Sequence, residues 1–190
     1  MATFRKVVAF VAVCLVPVVG FTPTAAWAGP QQSTDWRVRL DEELPLLGHR
    51  NWIAVVDSAY PLQTSKGIET IETDADHLDV VQTVLDRLAK AKHVRPVIYT
   101  DAELKVIYES DARGVTTYRE ALAKLVGETE ARSLRHEQII SKLDEAGKTF
   151  HILVLKTRMT IPYTSVFIRL ECGYWSAEAE KKLRAAMGAR

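Results

Sequence analysis

The residues best suited to chemistry flank a short apolar run in the segment GHRNWIAVVDSAYP, positions 48 to 61. His49 precedes the run and Asp57 ends it. Histidine titrates near neutrality and exchanges protons in either direction, and open α/β sheets usually bind ligands at the carboxyl ends of strands, where Asp57 would lie. A second interpretation stays open. A loop histidine is often only solvated, and an aspartate that closes a strand is often a turn residue or a helix cap.

A second pair of candidates stands in the segment YTSVFIRLE, where Tyr163 and Ser165 are two residues apart and would share one face of a strand. A tyrosine there also suits the rim of a core. The sequence has no Walker loop, GxGxxG, GxSxG or HExxH. Four histidines lack metal-ligand spacing to a second histidine or cysteine: His77, His93, His136 and His151. No motif in the sequence therefore indicates a metal or a nucleotide cofactor.

Elements of alternating type must position these residues. Apolar, β-branched runs predict strands over 52–57, 95–100, 150–157 and 163–171, with a short strand at 68–73. Periodic patterns predict a short helix over 39–47 and longer helices over 74–92 and 176–190. The segment 117–147 is also helical in character, with a possible break near Gly127. The alternation predicts a layered α/β fold.

The N-terminal segment has the layout of a secretory signal peptide. A basic start, an apolar run and the pattern Ala26-Trp27-Ala28 predict cleavage after residue 28, and an uncleaved anchor is the alternative. Cleavage would remove two of the 25 basic residues and none of the 24 acidic ones, which leaves a net charge of −1. That charge argues against nucleic acid or an anionic membrane as the main partner. Cys172 would be the single remaining cysteine, so no disulfide within the chain is expected.

Two segments together carry a family resemblance. LGHRNWIAVVDSAYP and LKTRMTIPYTSVFIRLECG resemble the opening and closing motifs of the RbsD/FucU family of ribose pyranases and L-fucose mutarotases. The resemblance implies a family domain over 36–175, preceded by the signal peptide at 1–28 and followed by a helical extension at 176–190. It further implies a mixed central sheet flanked by helices and a ring-like homo-oligomer, a pentamer or decamer. Active sites at subunit interfaces would interconvert forms of a free monosaccharide without a cofactor.

The resemblance also implies roles for particular residues. His49 matches the catalytic histidine, Asp57 matches the aspartate that holds that histidine or the sugar, and Tyr163 matches the sugar-binding tyrosine. His136 is the nearest match to a further family histidine, although Arg132 and Arg135 are rivals for that position. Ser165 stands where the family commonly has asparagine.

Two functions follow as hypotheses from this resemblance. The first is an exported sugar mutarotase or pyranase that uses His49 and Asp57 for acid–base catalysis, with Tyr163, Ser165 and His136 in the pocket. The alternative is a non-catalytic sugar-binding or sensing module on the same fold. It is motivated by Ser165 and by Arg158 and Met159, which replace the Gly-Glu common in the family's turn.

Overall fold

The computed structural model describes residues 35–127 and 131–188, so the predicted signal peptide lies outside the described residues. The helices are α1 (Trp36–Glu43), α2 (His77–Lys90), α3 (Val115–Val126), α4 (His136–Gly147) and α5 (Ala177–Gly188), with short 3₁₀ turns at Leu44–Leu46 and Ala102–Lys105. The strands are β1 (Trp52–Val56), β2 (Ile68–Glu72), β3 (Val94–Asp101), β4 (Arg132–Leu134), β5 (Ile152–Lys156) and β6 (Val166–Cys172).

The six strands form one mixed sheet in the order β2-β5-β1-β6-β3-β4. β5 is parallel to β1 and β2, and β3 is parallel to β4. β6 is antiparallel to both of its neighbours, β1 and β3. All strands except β6 therefore run in one direction and end at the same edge of the sheet, which we call the carboxyl edge. The predicted α/β class with a mixed sheet is confirmed.

Both faces of the sheet are covered, because the central strands are apolar on both sides. All five residues of β1 are buried. Ile53, Val55 and Ile168 belong to a core shared with α1, α2 and α3. Trp52 and Phe167 pack with Ile139 and Leu143 of α4 on the opposite face. Ile168 and Phe167, neighbours in β6, therefore face opposite sides of the sheet.

Helix α2 forms as its sequence predicts. Its buried residues are His77, Val80, Val81, Val84 and Leu88, which line one side of the helix. The Asp76 side chain accepts hydrogen bonds from the backbone N–H groups of Leu78 and Asp79 and so satisfies donors that a helix start leaves unpaired. The acidic segment at 74–77 thus contains a helix cap.

Two predicted elements differ in the structure. The helical segment 117–147 breaks at Gly127, whose φ is +59°, which confirms the break predicted there. The difference is the strand β4, which pairs with β3 before α4 begins. Tyr163 does not open the last strand. Its φ of +57° is a left-handed conformation that a strand does not hold, so β6 begins at Val166.

The terminal helix α5 lies on the surface and none of its residues is buried. The Ser176 hydroxyl accepts from the backbone N–H of Ala179 at 3.0 Å, as expected of a cap. The indole N–H of Trp175 donates to Glu180 at 2.9 Å. Within residues 35–127 and 131–188, every helix is too short or too polar to cross a membrane.

Candidate functional site

A cleft of about 540 Å³ opens at the carboxyl edge of the sheet. Three segments line it: the loop that follows β1, the first residue of α4, and the loop between β5 and β6. Its lining residues are Asp57, Ser58, Ala59, Tyr60, Pro61, His136, Met159, Thr160, Ile161, Pro162 and Tyr163. α/β proteins commonly bind ligands at the carboxyl ends of their strands, in crevices lined by such loops.

The two long loops of the cleft are tied to each other and to β1. The backbone N–H of Ser58 donates to the carbonyl of Met159 at 2.8 Å. Thr157 donates to the Val56 carbonyl twice, from its backbone N–H at 3.0 Å and its hydroxyl at 2.8 Å. Asp57 Oδ1 accepts from the backbone N–H of Ala59 at 2.8 Å, which closes a tight turn. The Asp57 carboxylate is therefore held at the rim with Oδ2 left for a ligand.

His136 and Tyr163 meet across the cleft. Their rings contact edge to face, with centroids 5.6 Å apart and planes at 85°. The backbone N–H of His136 donates to both oxygens of the Glu103 carboxylate, at 3.2 and 3.0 Å. Tyr163 is 40% exposed. The cleft thus offers a carboxylate, an imidazole and a partly exposed phenol to one ligand.

Asp101 is a residue of this site that the sequence interpretation missed. It is the last residue of β3 and pairs in register with Leu134 of β4, two residues before His136. His136 Nδ1 lies 3.2 Å from Asp101 Oδ2. Burial raises the pKa of Asp101 to about 6, an effect that His136 opposes and that the charges of Glu103 and Asp57 reinforce. The signal in the sequence was an acid at the end of a predicted strand, the same signal that Asp57 gave.

Tyr60 forms part of the cleft wall. Its hydroxyl accepts from Gln63 Nε2 at 2.9 Å, and its carbonyl accepts from Lys156 Nζ at 3.0 Å. Burial, aided by the charge of Asp144, raises the pKa of Tyr60 to about 12. The phenol is therefore protonated at neutral pH and is available as a hydrogen-bond donor.

A buried chain of contacts runs beneath the cleft. His77 is 0% exposed, with Nε2 at 3.3 Å from the Val55 carbonyl and Nδ1 at 3.2 Å from the Tyr118 hydroxyl. The Tyr118 hydroxyl donates to the carbonyl of Thr164, next to Tyr163, at 2.8 Å. Burial lowers the pKa of His77 to about 4 and raises that of Tyr118. Both side chains are thus neutral supports of the loop that carries Tyr163.

His49 lies away from this cleft, at the other end of β1. The five residues of β1 lie between His49 and Asp57, and they alone span about 16 Å at the usual rise of a strand. His49 is exposed in a turn in which the Asn51 side chain accepts from the backbone N–H of Gly48 at 2.7 Å. It lines a second, larger cleft of about 960 Å³, together with Trp52, Tyr99 and several charged side chains. Within one chain, His49 and Asp57 do not meet.

Of the five predicted site residues, the fold therefore brings three together: Asp57, Tyr163 and His136. Ser165 is 2% exposed and is not among the residues that line the cleft. The Tyr163–Ser165 spacing predicted a common face on a strand, and the turn at Tyr163 removes that relation.

One group in the described part of the chain has the composition of a metal site. Glu43, Glu69 and His151 bring ligand atoms within 4.8 Å of one another, and all three are partly buried. The Arg39 guanidinium forms an ion pair with Glu69. That cation already balances the charge of the Glu69 carboxylate, so we assign the group a structural role.

Comparison with known proteins gives structural relatives. No family model matches the chain, and no curated protein matches it. It is similar to Bacillus subtilis RbsD complexed with D-ribose, with 20% identity, a TM-score of 0.50, and coverage of 70% of this chain and 91% of that one. It is also similar to the fucose mutarotase from Streptococcus pneumoniae in complex with L-fucose, at 16% identity and a TM-score of 0.46, covering 70% and 91%. The chain is also similar to FucU from Bifidobacterium longum, with 12% identity, a TM-score of 0.46, and coverage of 70% of this chain and 94% of that one.

The likeness to RbsD establishes the fold. The chain has the layered α/β architecture expected from its end motifs, and the resemblance to the RbsD/FucU family is confirmed at the level of structure.

Proposed function

We propose that this chain is an exported sugar mutarotase or pyranase that binds a free monosaccharide in the cleft at the carboxyl edge. One observation carries the proposal: Asp57, His136 and Tyr163 converge there, on a fold shared with RbsD, which was solved complexed with D-ribose. A ring sugar presents hydroxyls to polar groups and an apolar face to an aromatic ring. A carboxylate, an imidazole and a phenol meet both requirements.

The residues of the cleft suit ring opening. Opening requires that a base takes the proton of the anomeric hydroxyl while the ring oxygen receives a proton. The ring C–O bond then breaks to give the open-chain carbonyl, and closure on the other face reverses each step. An imidazole performs either proton transfer near neutral pH, and positioned acid–base groups typically contribute on the order of 10²- to 10⁴-fold. The proposed reaction uses these groups without a cofactor.

His49 enters this proposal through a second copy of the chain. Because His49 is exposed at the opposite edge from Asp57, a site containing both needs the His49 of a neighbouring subunit. We infer a homo-oligomer in which each cleft at the carboxyl edge receives that histidine. Such an arrangement agrees with the subunit-interface sites that the family resemblance implies, and a ring repeats it at every interface.

Anomer exchange measured by saturation-transfer NMR tests the activity on a panel that includes D-ribose and L-fucose. We expect faster exchange of at least one sugar with wild type, and a loss of about 10² or more for Asp57→Asn and for His49→Ala. Asp111→Asn is the matched control, because Asp111 is exposed and lies outside the cleft. Exchange no faster than the uncatalysed rate across the panel would refute the catalytic assignment.

Subunit mixing tests the shared site. Chains carrying Asp57→Asn and chains carrying His49→Ala are each expected to be inactive, but co-assembled at equal amounts they regain about a quarter of wild-type activity, since one site in four combines two intact residues from neighbours. A mixture that stays inactive, although mass spectrometry shows mixed oligomers, would contradict the shared site. Either both residues would then act from the same chain, or one of them would not belong to the site.

A non-catalytic sugar-binding module is the second candidate, and Ser165 favours it. The residue at the position where the family commonly has asparagine is buried outside the cleft lining, so one sugar contact is absent. This function predicts heat of binding in calorimetry with a sugar whose anomer exchange stays at the uncatalysed rate.

Export is proposed on the N-terminal pattern of the sequence. Expression with residues 1–28 in a bacterial host, followed by fractionation and N-terminal sequencing, tests it. A mature chain that begins at Gly29 outside the cytoplasm is expected, and a full-length chain in the cytoplasm would refute it.

A further inference from the structure

Asp101 is the most deeply buried carboxylate at the cleft. The residue is 1% exposed and its side chain is fully buried. Within the described residues, neither of its oxygens has a well-aligned hydrogen-bond donor, and Nδ1 of the His136 imidazole lies 3.2 Å from Oδ2. That distance is within reach of a hydrogen bond, although the contact is not linear in this structure. A buried carboxylate without a well-aligned donor is costly, so its position beside His136 points to a task at that residue.

The fold holds the His136 ring at this carboxylate from three sides. The register of β3 and β4 sets Asp101 opposite Leu134, two residues before His136. Glu103 accepts from the His136 backbone N–H, and the Tyr163 ring meets the imidazole edge to face. Because Nδ1 faces Asp101, the other ring nitrogen, Nε2, is the one left for a ligand in the cleft that His136 lines.

We propose that Asp101 is a positioning residue that holds the neutral imidazole of His136 as the Nδ1–H tautomer, so that Nε2 acts as the proton acceptor for a sugar hydroxyl. This inference rests on the proposed function and deepens it, since it assigns the base of the reaction to His136 and its orientation to Asp101. A carboxylate beside one imidazole nitrogen favours the proton on that nitrogen and leaves the other unprotonated.

The electrostatic surroundings of Asp101 agree with this role near neutral pH. Its pKa is raised to about 6 by burial, so the carboxyl group is ionised above that value and acts as an acceptor toward Nδ1–H. Below it, the neutral acid no longer favours the proton on Nδ1. The other charged groups that act on Asp101 are Glu103, on the 3₁₀ turn after β3, and Asp57, after β1, and both favour its protonation.

The tautomer of His136 is the direct test, because it needs no substrate. Long-range ¹H–¹⁵N spectra of the full chain, recorded where the imidazole is neutral and assigned by loss of signals in His136→Gln, are expected to show Nδ1–H in wild type. Asp101→Asn is expected to shift the majority to Nε2–H. Glu103→Gln keeps an acceptor for the His136 backbone N–H and removes a charge that favours protonation of Asp101; it is the matched control and should leave His136 in the Nδ1–H form.

Wild-type His136 in the Nε2–H form, or a spectrum unchanged in Asp101→Asn, would overturn the assignment. The wild-type spectrum decides the question even if that variant does not fold. In exchange assays, Asp101→Asn is expected to lower kcat at least roughly tenfold with KM altered less than about threefold. Wild-type kcat in Asp101→Asn would also overturn it. If no sugar exchanges at all, the proposed function fails, and the tautomer measurement still decides the orientation of His136.

Discussion

Replacing His77 changes how stability depends on pH, by an amount that follows from its burial. The pKa of His77 falls from 6.5 to about 4 in the folded chain because burial disfavours the charged ring. Between these two values the unfolded chain binds a proton that the folded chain does not. The contribution of the neutral, buried His77 to the free energy of unfolding is therefore fully present above about pH 6.5. It is lost as the pH falls toward 4. By linkage, the loss between pH 7 and pH 4.5 is about 2 kcal/mol.

Urea unfolding at one protein concentration measures this effect. The free energy of unfolding is determined near pH 7 and near pH 4.5 for wild type and for His77→Gln, which has an amide that cannot be protonated in this range. We expect the fall in wild type to exceed the fall in the variant by about 2 kcal/mol. Groups shared by both proteins cancel in this comparison, including Asp101, whose raised pKa acts in the opposite direction.

Leu62→Ala provides the control. Leu62 is 76% exposed and has no ionisable group, so this variant should follow the wild-type fall. Parallel falls for wild type and His77→Gln, within about 0.5 kcal/mol, would show that the His77 ring is hydrated or protonated in the fold and would refute the reasoning.

Two further predictions concern the supports of the site and of the sheet. Tyr118→Phe removes the donor to the Thr164 carbonyl and should lower the free energy of unfolding by about 1 to 3 kcal/mol. The control is Tyr108→Phe, at a residue that is 74% exposed, and an equal effect of the two substitutions would contradict the prediction. Gly173→Ala places a Cβ 2.5 Å from the Lys92 carbonyl oxygen and should cost about 1 to 3 kcal/mol in thermal unfolding. The control is Gly188→Ala, whose Cβ meets nothing within 4 Å, and equal melting temperatures would show that the backbone at residue 173 relaxes freely.

Elements with strong local patterns were predictable from the sequence. β1 is a short apolar run rich in β-branched residues and ended by a polar one, and this pattern predicts a strand. α2 carries an apolar stripe with an aspartate cap, and this pattern predicts a helix. β4 was not predictable, because three residues of mixed character become a strand only when β3 lies beside them. The conformation of Tyr163 was not predictable either. Tyrosine rarely adopts a φ of +57°, so the loop around it sets this conformation.

The site was predictable in part, for reasons of geometry. Asp57 and Tyr163 were found because their residue types stand at the ends of predicted elements. Asp101 has the same signal, yet it gains importance only when the register of two strands sets it beside His136. The separation of His49 from Asp57 follows from the strand itself. A strand spanning the residues between them holds its two ends apart, and only a second chain offers a route around that distance.

The position of β6 in the sheet has a consequence for the order of folding. β6 is the last strand in the sequence, yet it lies between β1 and β3 in the middle of the sheet. Until it inserts, the ribbon β2-β5-β1 and the ribbon β3-β4 have no shared strand, and each exposes an unpaired edge of the kind that promotes aggregation. Asp57 directly follows β1 of the first ribbon, whereas Asp101 ends β3 of the second ribbon and His136 follows β4. The cleft therefore assembles in the final step, through contacts distant in sequence that form slowly. A nascent chain that lacks β6 has neither a continuous six-stranded sheet nor an assembled cleft.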